Sequence, residues 1–113
     1  MPMADVSQIL KGLLEGCVLA VLERGETYGY EVVRVLAGGG FPDVGEASVY
    51  PLLVRLEQKG QVSFVRKASP FGTARKYYRL TESGQATLAQ FRGQWKATRA
   101  AVDGFVEKEA VDA

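Results

Sequence analysis

Ala47-Ser48-Val49-Tyr50-Pro51-Leu52-Leu53-Val54-Arg55-Leu56-Glu57 decides how the rest of the chain is read. Val49, Leu52, Leu53 and Leu56 recur at the three- and four-residue spacing of a single helix face, and Gly60 supplies a terminus. Proline has no amide to donate, so it is tolerated in a first turn, where that amide would have had no partner anyway. The pattern therefore predicts a helix starting near Ala47 or Ser48, a much earlier start requiring a kink at Pro51. Ala47, Ser48 and Tyr50 then stand at its exposed leading end.

Downstream, Gln61 to Lys67 reads as a strand rich in Val and Phe, and Ala74 to Leu80 as a second with Tyr77 and Tyr78 at its centre. The connection from Ala68 to Thr73 is longer than a tight two-residue turn, so a hairpin with an adaptable tip is expected. Arg66, Lys67, Arg75, Lys76 and Arg79 lie between Gln61 and Leu80 with no acidic residue among them. The first forty residues instead set Asp5, Glu15, Glu23, Glu26 and Glu31 against Lys11, Arg24 and Arg34. A net charge of +1 thus hides a localised basic element, suited to face a phosphate backbone.

Upstream, apolar residues from Val6 to Leu22 recur at helical spacing but spread beyond one narrow face. Ser7 or Asp5 is the expected cap and Gly25 the stop. So wide an apolar surface predicts a partner chain as well as a core. A second helix is expected from about Thr27 or Tyr28 to Leu36 or Ala37, with Val32, Val33 and Leu36 inward and Gly38 to Gly40 ending it. A fourth follows Thr81, a natural cap, and runs to about Phe105 or Lys108. Its Leu88, Phe91, Trp95, Thr98, Val102 and Phe105 alternate three- and four-residue steps, a seam on a helix longer than one small core needs. Gly93, Gly104 and the polar Thr98 argue for a short crossing contact rather than a regular coiled coil.

Composition narrows the function. With 47% of its 113 residues apolar and 24% charged, the chain suits one folded domain. No apolar run approaches the roughly 20 residues of a membrane span, and the N-terminus lacks a secretory pattern, so the cytoplasm is expected. Histidine is absent, which removes the commonest general base and metal ligand together. No convergent set of Asp, Glu, Lys or Ser replaces it, so neither catalysis, a metal nor a cofactor is expected. The single cysteine, Cys17, sits among Leu14, Val18 and Val21 and reads as a packed thiol.

The fold expected is mainly α with a small antiparallel β-hairpin. It comprises a first helix and a winged helix-turn-helix over residues 1–80, a dimerisation helix over 81–108 and a disordered tail at 109–113. In this plan the third helix enters the major groove through its leading end while the wing follows the backbone. Ser48 is small enough for close approach, Tyr50 brings a hydroxyl and a flat body, and Ala47 suits a thymine methyl. The hairpin bases neutralise phosphates without reading sequence.

Thr27-Tyr28-Gly29-Tyr30-Glu31, the stretch from Ala47 to Glu57, and Arg75-Lys76-Tyr77-Tyr78-Arg79-Leu80-Thr81-Glu82-Ser83-Gly84 together resemble the signature segments of the PadR family of bacterial transcriptional regulators, in its order and spacing. The resemblance spans roughly residues 7–106, and the short C-terminus is similar to the compact subclass with one dimerisation helix. It implies backbone contact or helix packing by Tyr28 and Tyr30, groove-facing roles for Ser48 and Tyr50, and wing roles for Arg75 and Lys76. Pro70 and Phe71 depart from the glycine-rich wing tip common in the family. Trp95 resembles in placement a tryptophan that lines a dimer-interface pore and stacks on flat ligands in some multidrug-binding members.

The candidate DNA-contacting residues are thus Tyr28, Tyr30, Ala47, Ser48, Tyr50, Arg55, Arg66, Lys67, Arg75 and Lys76. Ile9, Leu10 and Leu13 are expected to meet Leu88, Phe91, Trp95, Val102 and Phe105 at a homodimer interface. An effector site is expected around Trp95, Phe91, Leu14, Cys17 and Val18; plain interface packing by Trp95 is the competing reading. The function implied is a repressor of a palindromic promoter operator in double-stranded DNA, released by a small aromatic or hydrophobic effector. A winged helix that binds DNA or protein with no effector is the alternative.

Overall fold

The computed structural model describes residues 9, 10 and 12–107. In chain order it forms α1 (Leu14–Glu23), β1 (Thr27–Tyr28), α2 (Gly29–Gly38), α3 (Glu46–Gln58), β2 (Val62–Ala68), β3 (Ala74–Leu80) and α4 (Glu82–Val106). The caps expected at Asp5 and Ser7, and the tail at 109–113, lie outside the described residues.

The first helical stretch is not continuous. Gly12 and Leu13 form a turn after the helical Ile9 and Leu10, closed by the Leu13 N–H donating to the Leu10 carbonyl at 2.8 Å. Glycine's freedom in the backbone makes this the weakest point of the stretch. Beyond it α1 carries two apolar stripes. Leu14, Val18, Val21 and Leu22 point into the core, whereas Leu13, Gly16, Cys17 and Ala20 line a groove shared with α4.

Thr27 and Tyr28 do not open α2, as expected from sequence; they pair with Tyr78 and Tyr77 as a third strand, giving sheet order β1-β3-β2. Tyr28 then caps α2 in extended geometry. At the other end of α2, Gly40 adopts φ +127°, a left-handed conformation that glycine alone takes cheaply. The Gly40 N–H returns to Ala37 and the Phe41 N–H to Leu36, so the last carbonyls are served by a Schellman closure. Gly60 at φ +76° ends α3 the same way, with its own N–H on Glu57 and that of Gln61 on Leu56.

α3 begins at Glu46, with Gly45 as its N-cap. Pro51 therefore falls in the second turn instead of the first. Its missing amide leaves the Ala47 carbonyl without the usual donor, but Ala47 is exposed and water can serve it. Val49, Leu52, Leu53 and Leu56 are buried as the spacing required. Leu19, Leu53, Leu56 and Leu88 are among the largest fully buried side chains, so α1, α3 and the first turns of α4 share one core. Truncating any of these leucines to alanine costs about 2–5 kcal/mol.

Thr81 fixes where α4 leaves the sheet. Its Oγ1 accepts from the Gly84 N–H at 3.0 Å and donates to the Gly60 carbonyl at 2.6 Å, while its own N–H reaches the Gln61 carbonyl. Gly84 is packed so tightly that a Cβ would collide with the Gln61 carbonyl oxygen. From Arg92 onward every described residue of α4 is exposed.

Candidate nucleic-acid interface

Tyr28 of β1, the first turn of α2, the middle of α3 and β3 enclose an open cleft of about 390 Å³. Tyr28, Tyr30, Tyr50 and Tyr78 line it, with Val54, Arg75 and Lys76 completing the wall. Gly29 makes this geometry possible, since a Cβ there would collide with the Tyr50 ring. The Arg75 guanidinium lies 4.3 Å from the centre of the Tyr28 ring, which also meets the edge of Tyr77. Such cation–π contact orients the guanidinium without neutralising it.

The cleft can both donate hydrogen bonds and attract anions. Burial pushes the Tyr50 hydroxyl above its ordinary pKa, the Glu46 charge adds to this, and Arg75 partly offsets it. Burial likewise raises Tyr78, with help from Glu57 and opposition from Arg66. Both hydroxyls remain protonated donors at neutral pH, and the same cleft holds Arg75 and Lys76.

Of the ten candidate DNA-contacting residues, Tyr28, Tyr30, Tyr50, Arg75 and Lys76 come together in this cleft. Ala47 and Ser48 are exposed on the leading turn of α3. Arg55 is exposed further along α3, away from the cleft lining. The wing bases divide between the two faces of the hairpin. Successive strand residues point to opposite faces, so Arg66 and Lys76, which pair across the ladder, share one face, and Lys67 and Arg75 the other. Lys67 is moreover paired with Glu26 at 2.9 Å, an exposed contact within the protein. Arg66 sits over the Phe64 ring and is otherwise exposed.

The wing tip is also more tightly closed than its length suggested. The Ser69 N–H donates to the Thr73 carbonyl, the Gly72 N–H returns to Ser69, and the Phe71 N–H donates to Ser69 Oγ at 3.2 Å. Phe71 itself is 82% exposed at the end of the hairpin.

A second concavity, of about 300 Å³, shares no lining residue with the first. Leu13, the N-cap of α1, with Gly16, Cys17 and Ala20 of α1, faces Leu88, Phe91, Arg92 and Trp95 of α4, and Phe41 closes one side. Phe91 rests on Gly16, where any Cβ would collide with the ring. Arg92 is held at the rim by a two-pronged contact to Glu23, at 2.7 and 3.0 Å. Cys17 is half-buried and burial pushes its thiol up, so it stays protonated. Among the residues expected around an effector, Trp95, Phe91 and Cys17 meet here. Leu14 and Val18 do not: they lie on the other stripe of α1, in the core.

The residues expected at a dimer contact divide similarly. Ile9, Trp95, Val102 and Phe105 are exposed, Phe105 by 84%. Leu10 and Leu88 are buried in the core, while Leu13 and Phe91 line the groove. The pattern left unread in the sequence was the i, i+3, i+4, i+7 stripe Leu13, Gly16, Cys17 and Ala20, whose small members hid it. Phe41, Val54, Gly29 and Arg92 were missed as well; none belongs to an apolar repeat that would announce it.

Among the described residues, no helix is long and apolar enough to cross a membrane. The profile of the transcriptional regulator PadR-like family matches residues 18–90. The chain belongs to the PadR-like family.

Its solved relatives agree. A PadR-like transcriptional regulator of Bacillus cereus is 40% identical, with the match covering 89% of this chain and 98% of that one at a TM-score of 0.80. A Streptococcus transcriptional regulator is 39% identical over 87% of this chain and 96% of its own, with a TM-score of 0.77. A PadR family regulator of Eggerthella lenta is 32% identical over 93% and 91%, with a TM-score of 0.81. As a PadR-like protein the chain is a DNA-binding transcriptional regulator and not an enzyme, and its helices and small sheet form the family's winged-helix fold.

Proposed function

We propose that this PadR-like regulator is a cytoplasmic, homodimeric repressor of a palindromic operator, released by a small aromatic or hydrophobic molecule in the groove between α1 and α4. The DNA-contacting half corresponds to residues 1–80 and the dimerising half to 81–108. The observation that carries the reading is the outer half of α4: Trp95 at the groove, and Val102, Phe105 and Val106 further along the helix, are exposed apolar residues. A helix left this bare in one protomer gains most of its burial from a second copy, at about 25 cal/mol per Å² of apolar surface covered. Pairing of α4 with the partner's first helix would also hold two α3 helices at a fixed separation.

The division of labour on the DNA side follows from the cleft. Arg75 and Lys76, with the tyrosine hydroxyls, suit backbone phosphates, whereas Ala47 and Ser48 stand where base edges are read. The effector reading rests on the second concavity, which is walled by Phe91, Trp95 and Phe41 and is large enough for a planar ring system.

Sedimentation at micromolar concentration tests the dimer, and transcription in vitro from a promoter carrying a selected operator tests the rest. A dimer that lowers transcript yield, and loses that effect when a planar aromatic compound quenches Trp95, is expected. A monomer, or a protein that leaves transcription unchanged while bound at the operator, contradicts the proposal.

A further inference from the structure

Phe41 belongs to two structures at once. Its ring walls the groove beside Trp95, Phe91 and Cys17. Its backbone is the closing residue of α2, where the Phe41 N–H donates to the Leu36 carbonyl at 3.0 Å. Only Pro42, Asp43 and Val44 then separate it from Gly45, the N-cap of α3.

That connection is short and stiff. The Val44 N–H donates to the Phe41 carbonyl at 3.1 Å, and the Val44 side chain is buried in the core. Pro42 has its φ fixed by its ring. Gly45 in turn accepts from the N–H groups of both Ser48 and Val49, each at 3.1 Å, so it anchors the turn that carries the base-reading residues. A displacement of the Phe41 backbone is therefore passed on to Gly45 and is not absorbed by slack chain.

We infer that Phe41 is a positioning residue that couples the groove to α3 within one protomer: an aromatic occupant that pushes the Phe41 ring aside shifts the leading turn of α3. The inference rests on the groove being the effector site, and adds to it a route that does not require the two protomers to change their separation. Hydrogen bonds weaken steeply with distance and angle, so a shift well under one ångström at Ser48 suffices to weaken base contacts. The coupling is real only if the occupant binds the DNA-free and DNA-bound forms with different affinity, and it is then reciprocal.

The test uses the full chain, a duplex selected from randomised DNA, and 1-anilinonaphthalene-8-sulfonate as the aromatic probe. Trp95 is the single tryptophan, so energy transfer from it reports bound probe, and loss of that transfer in Ala20→Phe, which fills the groove, places the probe there. For wild type, Phe41→Ala and Phe41→Leu, the DNA Kd is measured without probe and at a probe concentration that saturates the transfer. The ratio is formed within each variant, so changes in baseline affinity or stability cancel. A wild-type ratio of about tenfold, falling below about twofold in Phe41→Ala and lying between in Phe41→Leu, is expected. An equal ratio in all three proteins overturns the coupling, as does a wild-type ratio of one despite full transfer; either result leaves the groove standing as a binding site. Absence of transfer in the wild type overturns the effector site and the coupling together.

Discussion

Phe91 rests on Gly16, so the approach of α4 to α1 is set by the absence of a side chain on α1. The contact seats the inner half of α4 and leaves Trp95, one turn further, beside the groove. In Gly16→Ala the new methyl must displace the ring. Helix propensity returns about 1 kcal/mol and overpacking costs about 1–3 kcal/mol, so a net loss of about 1 kcal/mol is expected in urea unfolding. A more stable variant would show that the ring moves aside freely.

Gly29→Ala poses the same problem on the DNA side, where the added Cβ meets the Tyr50 ring. Here the ring borders an open cleft and can swing outward, so stability should change by less than about 1 kcal/mol. Operator affinity should nonetheless fall about tenfold, because the Tyr50 hydroxyl leaves its place beside Arg75. Tyr50→Phe should reproduce part of that loss with the fold unaltered; full affinity in both variants would remove Tyr50 from the interface.

Arg75 and Lys76 line the cleft, whereas Lys67 lies outside its lining and pairs with Glu26. Replacing Arg75 and Lys76 with alanine should weaken specific and random DNA alike, and lower the slope of log K against log salt by about 0.9 for each phosphate that is no longer neutralised. Lys67→Ala should leave that slope nearly unchanged. Equal slopes for all the variants would show that other side chains neutralise the phosphates.

Much of this cleft was legible in the sequence. The stripe of Val49, Leu52, Leu53 and Leu56 fixed which side of α3 is inward, and therefore which residues face out. Thr81 announced the start of α4 because a hydroxyl cap is a local signal. What stayed hidden depends on distant partners. β1 exists because Thr27 and Tyr28 find Tyr78 and Tyr77, some fifty residues on, and a two-residue strand has no period of its own. The start of α3 moved to Glu46 because Gly45, which has no side chain to signal a cap, takes that role. Leu14 and Val18 were assigned to an effector site because a wide apolar helix does not declare which stripe meets the core. The pairing of Lys67 with Glu26, which divides the wing's charge, is likewise made across the fold.

The ion pair between Glu23 and Arg92 gives a pH dependence of known sign. The hydrogen bond from Arg92 holds the Glu23 carboxyl below the ordinary glutamate range, with the guanidinium charge adding to it and burial opposing. A lowered folded-state pKa means the pair stabilises above the unfolded value and loses that stabilisation as pH falls through the folded one. Both groups are solvent-exposed, so the effect is small. Arg92→Gln should therefore be slightly less stable than wild type at neutral pH and indistinguishable from it in strong acid. A difference that grows on acidification would contradict the assignment.

That α3 reads sequence through its leading turn is tested most directly by selecting bound duplexes from a randomised pool with the wild type, Ser48→Ala and the Arg75→Ala, Lys76→Ala double variant. The wild type should return a palindrome whose half-sites lie about one helical turn, or about 34 Å, apart. Ser48→Ala should change the preferred bases in each half-site, while the double variant keeps the motif at lower affinity. An unchanged motif in Ser48→Ala together with an altered one in the double variant would put sequence reading in the wing and contradict the role given to α3.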